Sequence, residues 1–221
     1  MTEAQALVAH AARLALVVLL AGMVWRGRVP QCWAFGVYVV AALVGNTLVS
    51  LWPSRFYTPE FWVVKQGVYD ILKPAIALEL AWRAFRAFPG ALRTARLVLL
   101  LLLGVSSVSL AALPTRPAYA VVWEWQPGIA TAGLWLLTAT ALMVVWYQVP
   151  LSRWQRAIMI GLAVYLLVFV TLLGLLKSRG WGVGTFVATV EATAYLALVA
   201  FWAWVAWRRD ATAAAAVGRA A

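Results

Sequence analysis

One stretch of the chain, 61–86 (FWVVKQGVYDILKPAIALELAWRAFR), is apolar enough to enter a membrane yet carries Lys65, Gln66, Asp70, Lys73 and Glu79. Ionisable groups in hydrocarbon are costly, so each needs a partner or a water-filled cavity. On a helix of about 3.6 residues per turn, Gln66, Asp70 and Lys73 fall within one arc, and Glu79 points the opposite way. Asp70 and Lys73 are three apart and can pair. Pro74 cannot donate to the carbonyl of Asp70, and its ring pushes that turn open, so a hinge is expected there. An ion pair, a freed carbonyl and a hinge together can hold a small ligand or an ion. They can equally do no more than fix helix register. Proton transfer would need Asp70 or Glu191 as a general base with a pKa raised by burial. No nucleophile–base pair accompanies them, so the chain is read as non-enzymatic, with no catalytic residue.

Other polar residues fall at matching depths of other apolar segments. Glu191 lies about one turn outside the centre of the last segment. Asn46 is in the outer half of the second, and Arg13, with His10, in the outer half of the first. Together with Asp70, Lys73, Gln66, Tyr69 and Tyr195 they make a candidate ligand-binding set, one polar pocket opening outward, with Pro74 as its hinge. Lys65 and Glu79 lie towards opposite ends of their segment, within reach of the two interfaces, and are read as structural. Threonines 171, 189 and 193 are read as interhelical hydrogen bonders.

What must position these groups is a helical bundle in lipid. The 221 residues are 65% apolar and 11% charged, against about 45–50% and about 25% for a soluble domain. Spanning segments must satisfy their own backbone, which leaves helices or closed barrels. Runs such as LVLLLLLGVSSVSLAAL lack the alternation of barrel strands. A span needs roughly 20 residues, and seven are read, at 6–25, 33–52, 61–85, 93–113, 128–147, 157–176 and 184–207, as one domain over 1–207. The first is kept as a helix rather than a signal peptide, because Arg26 and Arg28 follow it and no small-residue cleavage site does. The stretch 114–127 is read as an interfacial connection or a lid over the pocket. Residues 208–221 form a short cytoplasmic tail without an effector domain, so any signalling would need a separate partner.

Orientation follows from the basic residues. Arg26, Arg28, Arg83, Arg86, Arg93, Arg96, Arg153, Arg156, Arg208, Arg209 and Arg219 fall on one side, and Arg55, Arg116, Lys177 and Arg179 on the other. The excess marks the cytoplasmic side and places the N-terminus outside and the C-terminus inside. The net charge of +11 is therefore assigned to topology and anionic lipid, not nucleic acid. Arg83, Arg86, Arg93 and Arg96 form a basic inner loop facing lipid or a cytoplasmic or membrane-protein partner. One cysteine, Cys32, excludes an intrachain disulfide, and one histidine, His10, leaves no His-based metal or haem set, so no cofactor or metal is expected. A retinal protein would need a lysine in the last segment, which has none. The 14 tryptophans fall mostly near segment ends, as an aromatic belt does.

Residues 23–33 (MVWRGRVPQCW) are similar to 144–154 (VVWYQVPLSRW), and an offset of 125 aligns Ala81–Arg83 with Ala206–Arg208 and Gln66 with Glu191. This hints at a parallel 3+1+3 repeat of the kind some transporters use.

Around LELAWRAFRAFPGALRTARLVLLLLL, with Glu79, Phe85, the Phe88-Pro89-Gly90 turn and the arginines before the fourth segment, the chain resembles a group of uncharacterised bacterial seven-helix membrane proteins. The resemblance implies an all-α seven-helix bundle in the bacterial inner membrane and carries no activity. In layout the chain also loosely resembles the seven-helix input modules of bacterial sensors. The expected function is sensory or small-ligand binding, relayed through a bending third helix to the basic loop. The alternatives are a small-molecule transporter and a structural subunit of a membrane complex.

Overall fold

A computed structural model of the chain describes residues 3–85, 118–146, 148–149 and 151–208. Six long helices account for nearly all of them: α1 (Glu3–Trp25), α2 (Trp33–Leu51), α3 (Pro59–Phe85), α4 (Ala118–Trp146), α5 (Arg153–Arg179) and α6 (Gly184–Trp207). Among the described residues there is no strand. Gln5–Trp25, Trp33–Leu51, Gln126–Trp146, Arg153–Arg179 and Trp181–Trp207 are long and apolar enough to cross a membrane. The chain therefore has the makings of a multi-pass membrane protein. α3 is long enough, but Lys65, Asp70, Lys73 and Glu79 make it too charged to qualify on composition alone. The predicted span 93–113 lies outside the described residues.

The described helices close a ring, each packing on its neighbours in the order α1, α2, α3, α4, α5, α6 and back to α1. One end of this ring, the far end, is solidly filled. There Phe35 packs edge-on against Trp154 and Trp202, with ring centroids 5.5 and 4.7 Å away. All three rings, with Met23, Cys32 and Ile158, are wholly buried. Arg28 is buried here too. It lies over Trp154 and donates to the carbonyls of Val205 (3.1 Å) and Arg208, while Arg26 donates to Trp207 O (3.2 Å). A cation meeting the unpaired carbonyls of a helix C-terminus is favourable, and here it ties the α1–α2 turn to α6.

Local signals explain the helix ends. α3 starts at Pro59, whose missing N–H costs nothing in a first turn. Thr58 Oγ1 accepts from Phe61 N at 3.3 Å as its cap. α5 starts with a reciprocal capping box between Ser152 and Gln155. α1 ends on Gly27 at φ +60°, with Arg28 N donating to Met23 O at 2.8 Å. α4 ends the same way on Gln148 at φ +49°, with Val149 N donating to Val144 O at 3.0 Å. Both are the left-handed helix stop in which the sixth residue bonds back to the first. The similarity of 23–33 to 144–154 thus returns as one backbone shape used twice.

Two readings of the sequence need correction at α4. Residues 118–127, expected as part of a connection or lid, are helical. Pro127 and Gly128 look like a helix start, yet α4 runs through them. Proline is tolerated inside membrane helices, because neighbouring groups and small backbone adjustments satisfy what it frees. α3 likewise continues without a break through Pro74.

Candidate functional site

Opposite the packed end the ring is hollow. A cavity of about 560 Å³ opens where the chain begins, between the N-terminal halves of α1, α3 and α6 and the C-terminal halves of α2 and α5. Seven of the eight candidate binding residues line it: Arg13, Asn46, Gln66, Tyr69, Lys73, Glu191 and Tyr195. Asp70 stands just behind the wall. It accepts from Lys73 Nζ at 3.1 Å and from Gln66 Nε2 at 3.0 Å, and both it and Lys73 are buried. The spacing argument for α3 therefore describes the observed contacts.

Across the cavity, Glu191 Oε1 accepts from the Tyr165 hydroxyl at 3.2 Å. Lys73 Nζ also lies 4.8 Å from the centroid of the Phe169 ring. Arg13 faces His10 Nδ1 on the same side of α1 and donates to Ala9 O at 3.4 Å. Five tyrosines, Tyr38, Tyr57, Tyr69, Tyr165 and Tyr195, line the wall, and four of them pair edge-on as Tyr38–Tyr69 (5.8 Å) and Tyr165–Tyr195 (5.9 Å). Tyr38 and Tyr165 have no mark in the sequence beyond a phenol in the middle of an apolar run.

Lys65 is the larger difference. Expected at an interface, it lines the cavity. Its stem passes over Gly45 of α2, where an added Cβ would sit 3.0 Å from Lys65 Cδ and 3.0 Å from Tyr69 Oη. The absence of a side chain at Gly45 is what admits both groups.

At the far end, Glu79 caps another helix. Its carboxylate accepts from Trp33 N (2.8 Å) and Ala34 N (2.7 Å), the first amides of α2, and from Cys32 Sγ (3.4 Å). Arg83 completes the knot, bonding Glu79 Oε1 at 2.7 and 2.9 Å and Pro30 O at 2.8 Å. Burial, reinforced by the Glu79 charge, pushes the Cys32 thiol up to about 12. Of the basic inner loop only Arg83 is described; Arg86, Arg93 and Arg96 lie outside the described residues.

Comparison with known proteins finds no matching family model, no matching curated protein and no matching solved structure. The site's chemistry must therefore be argued from its own residues. The cavity is of a size that encloses small ligands, about 300–1,000 Å³ in general. Its lining mixes aromatic rings with a few convergent polar groups.

Proposed function

We propose that this is a seven-helix membrane protein of sensory or ligand-binding type that takes a small polar or amphiphilic molecule into the cavity between α1, α2, α3, α5 and α6. The observation that carries this reading is the convergence of Arg13, Asn46, Gln66, Tyr69, Lys73, Glu191 and Tyr195, from four helices, on one cavity of about 560 Å³. Binding against Lys73 or Gln66 loads α3 just before Pro74, where the backbone has lost a hydrogen bond. The other arm of α3 carries Glu79 and Arg83, which hold the N-terminus of α2 and the carbonyl of Pro30. A change of bend at Pro74 would then be felt at the basic far end, where a cytoplasmic partner can dock.

The seventh helix and the orientation belong to the same proposal. α3 and α4 are neighbours that run parallel. The C-terminal end of α3 packs with that of α4 and the turn after it, through Ala81, Ala84, Val144 and Val149. Parallel neighbours need a connection that returns across the bundle, and between them lies the apolar stretch 93–113. Arg26, Arg28, Arg83, Arg153, Arg156 and Arg208 all sit towards the far end, and such a basic excess supports reading that end as cytoplasmic. Placement in a bacterial inner membrane rests on the sequence resemblance alone.

A second reading, a 3+1+3 transporter, is favoured by the twin turns at Gly27 and Gln148 and by the alignment of Gln66 with Glu191, both on the cavity wall. The packed aromatic core at the far end speaks against an open path there.

The test is a thermal-shift screen of the purified protein in nanodiscs against small polar and amphiphilic compounds. Compounds that stabilise the native chain should lose at least tenfold in affinity on the double variant Asp70→Asn, Glu191→Gln. If every response survives that variant, the cavity is not the binding site.

A further inference from the structure

A second, smaller hollow of about 300 Å³ adjoins the cavity, walled by Phe56, Tyr57, Phe61 and Trp62 with Thr58 and Pro59. Val49, Tyr57, Trp62 and Lys65 belong to both walls, so the two spaces meet at Lys65. The larger space carries the charged and amide groups, and the smaller is mainly apolar, with aromatic rings at four of its eight residues. The shape fits a molecule with a head and a tail.

The groups at the junction fix the sign of the head. Among the described residues Lys65 makes no hydrogen bond or ion pair; the two recorded pairs use Lys73 with Asp70 and Arg83 with Glu79. One turn on, the Tyr69 hydroxyl is buried with no hydrogen-bond partner. Residues four apart on a helix face the same way, and Gly45 leaves room for this pair. The Glu191 carboxylate attracts Lys65 through the cavity, but its hydrogen bond is to Tyr165, and Asp70 is bonded to Lys73 and Gln66. What the junction lacks is a negatively charged acceptor within hydrogen-bond reach of Lys65 and Tyr69. Buried donors left unpaired are costly, and an ionised acceptor makes the stronger hydrogen bonds.

We propose that the paired hollows bind an anionic amphiphile, its charged head on Lys65 and Tyr69 and its short apolar tail against Phe56, Phe61 and Trp62. This rests on the reading of the cavity as a ligand site and names the ligand's class. The head chemistry, a singly charged carboxylate or phosphate on an apolar chain, is shared by free organic acids and by anionic lipids.

The experiment uses the full chain in phosphatidylcholine nanodiscs, with octanoate, octylammonium and octanol as probes and thermal shift and calorimetry as readouts. Octanoate should bind at least tenfold tighter than the other two. Lys65→Gln should weaken octanoate tenfold or more, Lys65→Arg should retain most of the affinity, and Tyr69→Phe should lose a few-fold. Phosphatidylglycerol in the nanodisc abolishes octanoate binding if the bilayer is the source, and leaves it intact if a free acid is. Equal binding of octylammonium, or wild-type octanoate affinity in Lys65→Gln, overturns the anionic head. If such binding still depends on Asp70 and Glu191, the cavity reading stands without it. If none of the three probes binds and the wider compound screen also fails, both fall.

Discussion

Glu79 illustrates what a single carboxylate does when three elements converge on it. It satisfies two of the first amides of α2, neutralises Arg83 and covers the Cys32 thiol. Glu79→Gln keeps the shape but turns an amide N–H₂ towards donors, so we expect it to cost about 2 kcal/mol of stability, in line with hydrogen bonds to a charged group. Maleimide labelling of Cys32 reports it directly. With its thiol pushed up to about 12 and fully buried, native Cys32 should label far more slowly at pH 8 than the unfolded chain, and the variant should label faster. The pH effect has a definite sign. Above the ordinary thiol value of 9.0 the unfolded thiol ionises and the folded one does not, so stability falls as pH rises from 9 towards 12. The Asp70–Lys73 pair makes a second case. Lys73→Met strands a buried carboxylate and should cost about 3–5 kcal/mol, while adding Asp70→Asn should recover part of that loss in the same unfolding measurement. The spacing of 66, 70 and 73 makes this pair legible in the sequence, because its partners lie within one or two helical turns. Of the partners of Glu79 only Arg83 is local; the groups it caps, Cys32, Trp33 and Ala34, lie about 45 residues away in sequence, so nothing local marks its capping role.

The helices are held together by a device that the sequence conceals. Two tryptophans of α6 sit over glycines of its neighbours and donate to the carbonyl one turn earlier: Trp202 over Gly161 to Ala157 O (3.2 Å) and Trp207 over Gly22 to Val18 O (3.0 Å). A Cβ on Gly161 would lie 2.6 Å from Trp202 Nε1 and 2.9 Å from Leu198 Cδ1. Small residues are what let membrane helices approach closely. Trp202 is wholly buried between Phe35 and its glycine, with nowhere to retreat, whereas Trp207 is 41% exposed and can swing out. Gly161→Ala should therefore cost about 1–3 kcal/mol by overpacking, and Gly22→Ala less, measured as melting temperature in detergent. Tryptophans near span ends read as a lipid-facing belt, and Trp25, Trp146 and Trp181, each more than three-quarters exposed, fit that reading. Trp154 and Trp202 do not, because burial depends on which face meets a neighbour and apolarity on every side hides that face. The same uniformity makes α4 read as starting ten residues late, at Gly128 rather than Ala118. Lys65 reads as interfacial for a related reason: depth alone does not reveal that Gly45 opens a path into the bundle.

At the scale of the whole molecule the division of labour is between a packed end and a hollow one. The aromatic core around Phe35 fixes the far ends of α1, α2, α5 and α6, and the absence of such packing at the other end leaves the cavity. Apolar periodicity and basic residues are enough to expect helices, their directions and the end where polar groups gather. They do not give the ring order, which rests on contacts between helices far apart in sequence. That order has one consequence for the proposed seven-helix topology: neighbours α3 and α4 point the same way, so on that proposal the chain returns across the membrane between them. Single cysteines placed in a Cys32→Ala background test it on intact cells with a membrane-impermeant maleimide. Ser54→Cys and Gly182→Cys, at the cavity end, should label from outside, while Pro30→Cys and Arg153→Cys should label only after the membrane is opened. Ala87→Cys and Arg116→Cys, which flank the apolar stretch 93–113, should behave oppositely, the first protected and the second reactive. The reverse pattern throughout would invert the orientation and leave the bundle intact. The same accessibility for Ala87→Cys and Arg116→Cys would mean that no span separates α3 from α4, and the parallel pairing could not then exist in a bilayer.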